Sequence, residues 1–219
     1  MALNLLPGAL FKKFHVEERR HAVAVLHADF KTELQDMIDC LNNFQLLRSE
    51  IEAGGGGKTR IANRFDHFLA GVRNKGTVTG GRGWKENSTK VSRLIGDKTV
   101  ESITHKVDLC KGRVALEVEW NNKDPFFARD MNAFRMLHEL DVISVGAIIT
   151  RMDELQEIFD GLYDEDGSCG RKYGASTTHW GKLMPHVENG AAGTCPLLLI
   201  GIKPECYVDD VGTPSAPKS

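Results

Sequence analysis

The chain reads as an α/β domain with a central mixed sheet, and three stretches carry that reading. HKVDLCKGRVALEVEW, residues 105–120, is two alternating runs around a Cys-Lys-Gly-Arg turn, the pattern of a β-hairpin. FFARDMNAFRMLHEL, residues 126–140, spaces its apolar residues as an amphipathic helix. VISVGAIIT, residues 142–150, is rich in β-branched residues and reads as a buried strand. Strand, helix, strand from Val114 to Thr150 is a crossover unit, which places parallel strands in the sheet and helices on its faces.

The remaining elements follow in order. Residues 14–27, FHVEERRHAVAVLH, alternate as a strand, most clearly in AVAVL. Residues 30–51 space Leu34, Met37, Ile38, Leu41, Phe44, Leu47 and Ile51 as one long helix, opened by Thr32 and Glu33. AGGGGKTR breaks the chain, and a second helix runs from Thr59 to Val72 with Ile61, Phe65, Phe68 and Leu69 inward. KGTVTGGRGWKENST is polar and turn-rich, a loop. KVSRLIGDKTVESITHKVDL predicts a strand, a Gly-Asp turn and a second strand. After residue 150, MDELQEIFDGLY is a helix, DEDGSCGRKYGAS a flexible loop, TTHWGKLMPHVENG a short helix with a Thr cap, and CPLLLIGI a last core strand. Residues 203–219 lack the apolar content to pack and read as a disordered tail. With no repeat and no linker, residues 1–202 form one domain, its core at about 14–202.

Composition narrows the class. No apolar run approaches the roughly 18 residues that span a bilayer, and the N-terminus lacks a basic start before its apolar residues. Cys40, Cys110, Cys169, Cys195 and Cys206 are odd in number and scattered, which suits neither a disulfide framework nor a zinc site and points to the reducing cytoplasm. The net charge of −2 argues against a generic nucleic-acid coat. Its distribution is uneven: Lys58 to Val114 holds 13 Lys or Arg against 5 Asp or Glu, and the balance reverses from Ala115 to Asp166. A basic half suits a phosphate backbone and an acidic half suits metal.

The hairpin carries the chemistry. Residues two apart on a strand share a face, so Leu116, Val118 and Trp120 form an apolar face and Ala115, Glu117 and Glu119 the other. Pairing brings Asp108 towards the two glutamates, and like charges that close are costly without a cation among them. Oxygen-only ligands suit Mg²⁺. Taken alone, the same hairpin equally fits a solvated face with two surface glutamates, the commoner arrangement. AGGGGKTR imitates a phosphate-binding loop, but G-x-x-x-x-G-K-[ST] places its first glycine where this chain has Glu52, and the segment follows a helix. Lys58 and Thr59 open the second helix, where they can touch a phosphate.

Asp108-x8-Glu117-x-Glu119 resembles the PD-(D/E)xK nuclease core, with Val107 where the motif's Pro stands and Glu119 in place of its Lys. Glu or Gln at that point is the BamHI and BglII pattern. HAVAVLHADF, EVEWNNKDPFF, VISVGAIITR and STTHWGKLMPHVENGAAGTCPLLLIGI resemble, in order, segments of the BglII/BstYI family of type II restriction endonucleases. The resemblance covers most of residues 14–202. It implies the restriction-endonuclease-like fold, and cleavage of double-stranded DNA at a short palindrome to leave a 5′-phosphate and a 3′-hydroxyl. It implies Mg²⁺, with Mn²⁺ as a substitute, held by Asp108, Glu117 and the backbone carbonyl of Val118, and Glu119 orienting or deprotonating the attacking water. The missing Lys implies either a second metal or a nearby cation, with Lys106 and Arg151 as candidates, and leaves one-metal and two-metal schemes open.

Asn121, Asn122 and Lys123 follow the catalytic strand, and Asn and Lys are suited to adenine and guanine edges; a polar turn has the same composition. Ser176, Thr177, Thr178, His179 and Lys182 form a second candidate DNA patch, or equally a helix cap with a solvated face. Trp180 reads as packing, Lys85, Lys90 and Arg93 as phosphate contacts, and Glu50 and Glu52 as surface charges or an accessory carboxylate. A palindromic target is read most simply by a homodimer, with a cognate DNA methyltransferase as functional partner. Helix 127–140 is either a dimer surface or a cover for the sheet. A DNA-binding protein without cleavage and a repair or structure-specific nuclease are the competing readings.

Overall fold

The computed structural model describes residues 2–53, 58–75, 77–89, 92–101, 105–164 and 167–212. Six strands form the central sheet: β1 (Phe14–Arg19), β2 (Lys85–Thr89), β3 (His105–Lys111), β4 (Val114–Glu119), β5 (Val145–Arg151) and β6 (Leu197–Ile202). Their spatial order is β1-β6-β5-β4-β3-β2. β5 runs parallel to β4 and β6, and the other pairs are antiparallel. β4, β5 and β6 are buried at every position, which is why their sequences run continuously apolar outside the acidic site.

Two helical layers cover the sheet. On one face lie α1 (Ala22–Asp29), α2 (Lys31–Asn43) and α3 (Arg60–Leu69), whose Leu26, Met37 and Phe65 share a core with Leu116, Val118, Trp120 and Ile149. On the other lie α4 (Pro125–Glu139) and α5 (Trp180–Glu188). Their Phe127, Met131, Phe134, Leu137, Leu183 and Val187 pack on Val107, Ala115, Ile148 and Leu199. The helix over residues 127–140 is thus a cover for the sheet. It lies close because β5 has Gly146 beneath it: a Cβ there would sit 2.5 Å from the Phe134 ring. Gly146→Ala is expected to cost about 2 kcal/mol by overpacking, read as a lower urea midpoint at unchanged slope.

The expected hairpin forms with a shorter turn than Cys-Lys-Gly-Arg: Leu109 pairs with Leu116, Cys110 with Ala115 and Lys111 with Val114, which leaves Gly112, at φ 53°, and Arg113 as the turn. Asp36 on α2 anchors it. Its buried carboxylate accepts from Lys111 Nζ at 2.6 Å and from Trp84 Nε1 at 3.0 Å.

Several elements differ from the sequence expectation. AVAVL is helical. Arg20 and His21 turn the chain through left-handed φ of 53° and 58°, and the buried Glu18 carboxylate accepts the Val23 N–H at 2.9 Å, so a tertiary contact starts α1 where β-propensity favours a strand. The long helix over 30–51 stops at Asn43, because Phe44 takes an extended backbone and stacks on Phe65 at 4.6 Å. The chain restarts as Arg48–Ile51, and no side chain caps α2. The polar stretch 75–89 holds a strand, Thr77–Thr79, paired with Val72–Asn74, and then β2. The Gly-Asp hairpin forms as Ser92–Ile95 and Lys98–Glu101. Tyr163–Asp164 pairs antiparallel with Gly167–Ser168, and Cys169–Lys172 is a helical turn, with Cys169 and Tyr173 in the core. The tail expected from 203 onwards has Cys206 buried and Tyr207–Val208 paired in parallel with Leu46–Leu47. Residues 213–219 lie outside the described residues. All five cysteines are buried, and among the described residues none is joined in a disulfide. No described helix is long and apolar enough to cross a membrane.

Candidate active site

β3 and β4 bring Asp108 and Glu117 side by side, and the Asp108 N–H lies 3.4 Å from Glu117 Oε1. Glu117 and Glu119 are each only 2% exposed. The acidic face is therefore not solvated; α4 covers it. Ile148 and Thr150 of β5 stand opposite the two glutamates, and Thr150 donates its hydroxyl to the Glu119 carbonyl at 2.9 Å, pinning the end of β4.

α4 adds a carboxylate that the sequence reading missed. Asp130 is 1% exposed and lies against Glu119. Its detectable signal was position, since it stands on the apolar stripe of Phe127, Met131, Phe134 and Leu137, where a charge needs a reason. Burial, then the charges of Asp130, Asp108 and Glu119, hold Glu117 well above the usual carboxylate range. Burial, then the charge of Asp130 and its hydrogen bond, push Glu119 up to about 9. Asp130 is raised too, chiefly by burial. Among the described residues Asp130 Oδ2 has no other hydrogen-bond donor, and the proton held on Glu119 is one it can accept. Arg129 offsets the charge, 2.8 Å from Asp130 and 3.7 Å from Glu119. Asn122 donates to Glu119 Oε2 at 2.8 Å.

Asp108 faces outward, with its side chain 42% exposed. Lys58 at the start of α3 stands 3.7 Å from its Oδ2, and Lys106 stands 3.8 Å from its Oδ1. Asp108 thus stands at the outer edge of the acidic cluster, near enough for its charge to act on Glu117. Among the described residues no three Asp, Glu, His or Cys side chains are gathered closely enough to hold a metal ion as they stand. The lysines draw Asp108 outward while Glu117 and Glu119 stay beneath α4. Arg151, one candidate for the further cation, is buried elsewhere: it donates to the Tyr173 carbonyl at 2.6 Å and lies over the Phe159 ring. Glu50 and Glu52 pair with Arg64 and Arg48, away from the acidic cluster.

The two candidate DNA patches form one unit. Thr178 N–H donates to the Asn122 carbonyl at 2.8 Å, and Asn122 N–H donates to the Thr178 hydroxyl at 3.2 Å. Lys123 and Thr177 form an isolated antiparallel bridge, and Asp124 N–H reaches the Ser176 carbonyl at 3.3 Å. The Thr cap expected for α5 is thus used otherwise: His179 is the cap residue, without a capping side-chain bond, and fully buried Thr178 serves Asn122. His179 contacts Asp153, and Lys182 lies 3.5 Å from Asp124. Asn121 has φ 60°, a left-handed conformation that Asn tolerates better than most residues, and its buried Oδ1 has no hydrogen-bond partner among the described residues. Lys123 and Ser176 are exposed. Trp180 is packing, edge-on to His15. Lys90 lies outside the described residues, as do Gly54 to Gly57 of the glycine run, which follows the helical turn Arg48–Ile51.

A buried acidic cluster beside exposed lysines, with a polar strap at the end of the same strand, suits hydrolysis of a phosphodiester in a bound nucleic acid. Among curated proteins none matches the chain. The family model for restriction endonuclease BglII/BglIII matches residues 14–202, from the first residue of β1 to the last of β6. The chain belongs to the BglII restriction endonuclease family, and is an enzyme that hydrolyses phosphodiester bonds of double-stranded DNA at specific sites.

Proposed function

We propose that this endonuclease is Mg²⁺-dependent, with Mn²⁺ as a substitute, and that its reaction centre is Asp108, Glu117 and Glu119. The observation that carries this reading is the burial of Glu117, Glu119 and Asp130 together around one guanidinium, next to Asp108. Buried carboxylates that close cannot all ionise without a cation, and the donors are all oxygen, which fits a hard divalent ion. Asp108 and Glu117, with the Val118 carbonyl, would hold it. A bound ion supplies Lewis-acid polarisation of the phosphate and a lowered pKa for its water. Once a bound cation offsets the charges that keep Glu119 protonated, its carboxylate would be the proton acceptor for the attacking water, with a basicity raised by burial and by Asp130. Asn122 orients that carboxylate from the Oε2 side. Water attacks phosphorus in line, and the bond to the 3′ oxygen breaks, leaving a 5′-phosphate and a 3′-hydroxyl.

Asn121, Asn122 and Lys123, paired to Ser176, Thr177 and Thr178, form a single strap that meets the bases, with His179 and Lys182 behind it. Because Thr178 is fully buried, its role is to hold Asn122 rather than to touch DNA. Thr178→Val is expected to weaken specific binding about tenfold while Tm falls by only a few degrees, measured by titration of a target duplex and by thermal melting. Normal affinity in that variant would separate the strap from recognition.

The target is a short palindrome and the working unit a homodimer, one active site for each strand, in restriction–modification defence beside a cognate DNA methyltransferase in the cytoplasm. Supercoiled plasmid incubated with Mg²⁺, Mn²⁺ or EDTA tests the reading. Discrete linear fragments with metal and none with EDTA are expected. Binding without cleavage under every divalent ion, or nicking confined to branched DNA, would overturn it.

A further inference from the structure

Position 119, where the related nuclease motif has Lys, carries Glu, and that side chain is buried against Asp130. β4 therefore offers the phosphate no cation. Four other cations were candidates to supply it. Arg151 is buried and turned to Tyr173. Arg129 is occupied with the buried pair Glu119 and Asp130. Lys106 also reaches Asp108, at 3.8 Å, but it is tied at 2.9 Å to Glu86 on the edge strand β2, and both of those side chains are more than half exposed, so its anchor is not seated in the core. Lys58 differs from these three. It stands just ahead of the Thr59 cap of α3, contacts Asp66 in the second turn of that helix, and still reaches to 3.7 Å from Asp108 Oδ2. Thr59 behind it caps α3 by accepting the Ala62 N–H at 3.2 Å, which fixes the start of the helix. α3 in turn is seated in the core through Ile61, Phe65 and Leu69. Lys58 is thus an ammonium held by Asp66 on a seated element and aimed at the most exposed of the site carboxylates.

We propose that Lys58 is a catalytic residue, the cation that meets the scissile phosphate beside Asp108 and supplies from α3 the positive charge that Glu119 cannot supply from β4. The proposal rests on the reading of Asp108, Glu117 and Glu119 as the reaction centre. Before DNA arrives, Lys58 neutralises Asp108. On the bound duplex its N–H groups turn to a non-bridging phosphate oxygen, and Asp108 is released to act as a ligand. Asp66 is a positioning residue that keeps the ammonium in place through the exchange. No proton leaves Lys58; its contribution is electrostatic, greatest when charge gathers on the phosphate oxygens in the transition state.

Two measurements on the full chain test it, using Lys58→Met and Lys58→Arg. In single-turnover cleavage with Mg²⁺, Lys58→Met is expected to lose about 100- to 1000-fold, and Lys58→Arg to recover to within about tenfold of wild type. In metal-free binding, duplexes are compared that carry either the normal linkage or a neutral methylphosphonate at the mapped cut position. The preference of wild type for the charged linkage, relative to that of Lys58→Met, should be greater by about tenfold. An unchanged ratio, or cleavage by Lys58→Met at the wild-type rate, overturns the proposal. So does a loss of cleavage that Lys58→Arg fails to restore and that follows a fall in Tm, which is the mark of a structural role. Wild type that cuts no DNA takes down the reaction centre itself; wild type that cuts while Lys58→Met cuts equally well takes down Lys58 alone.

Discussion

Glu117→Gln is expected to abolish cleavage, by at least about 10³-fold, while leaving the metal-free protein as stable as wild type or more so. The two effects come from one arrangement. Glu117 is buried with Asp130, Asp108 and Glu119 around it, and burial and those charges oppose its ionisation. An amide of the same shape removes the charge that α4 must cover, so the fold loses nothing. The same amide is a poor ligand for a hard cation, so the chemistry loses its holder. DNA binding should persist, because the strap of Asn121, Asn122 and Lys123 against Ser176, Thr177 and Thr178 is built independently of the Glu117 side chain. Paired measurements of cleavage rate, duplex affinity and Tm check all three. Cleavage within tenfold of wild type would remove Glu117 from the reaction centre.

Metal should stabilise the protein more as pH rises. Glu119 is raised from 4.5 to about 9, and Glu117 is raised with it. A carboxylate whose folded pKa lies above its unfolded one favours the fold when protonated. Below about pH 4.5 both states hold the proton and the pair costs nothing. Between about 4.5 and 9 the unfolded chain releases the Glu119 proton that the folded chain keeps, so metal-free stability falls steadily, and above 9 the loss from Glu119 is complete. A divalent ion binds the ionised carboxylates and reverses that loss. At roughly 1.4 kcal/mol per pKa unit and 2–4 °C per kcal/mol, the metal-induced rise in Tm should be about 10–20 °C near pH 8.5 and no more than about 3 °C near pH 5. Melting curves with EDTA and with Mg²⁺ across that range check it, and a metal-induced shift independent of pH would contradict it.

What the sequence showed of this molecule depends on where each residue's reason lies. The hairpin around Gly112 and the strand Val145–Arg151 were legible because strand alternation and a β-branched run are local signals. AVAVL was misread for the converse reason. Its helix begins because Glu18, on the preceding strand, accepts the Val23 N–H, and that contact has no trace in the alternation of Ala and Val. The polar stretch ending in β2 was read as a loop because its one packing residue, Trp84, finds its partner Asp36 on α2, far away in the chain. In the site, Asp108, Glu117 and Glu119 could be named from spacing, but whether their face was wet or dry could not. α4 decided that, and with it came Asp130, visible beforehand only as a charge on an apolar stripe. The two DNA patches stood apart in sequence, and the backbone bonds between Asn122 and Thr178 made them one.

The most direct measurement is to sequence the ends of the fragments that the purified protein makes from a plasmid in Mg²⁺, with Glu117→Gln alongside. One short palindrome at every end, a 5′-phosphate on each, and no fragments from the variant are the expected result. Ends of random sequence, or equal cutting by Glu117→Gln, would contradict a site-specific endonuclease working from the carboxylates of β3 and β4.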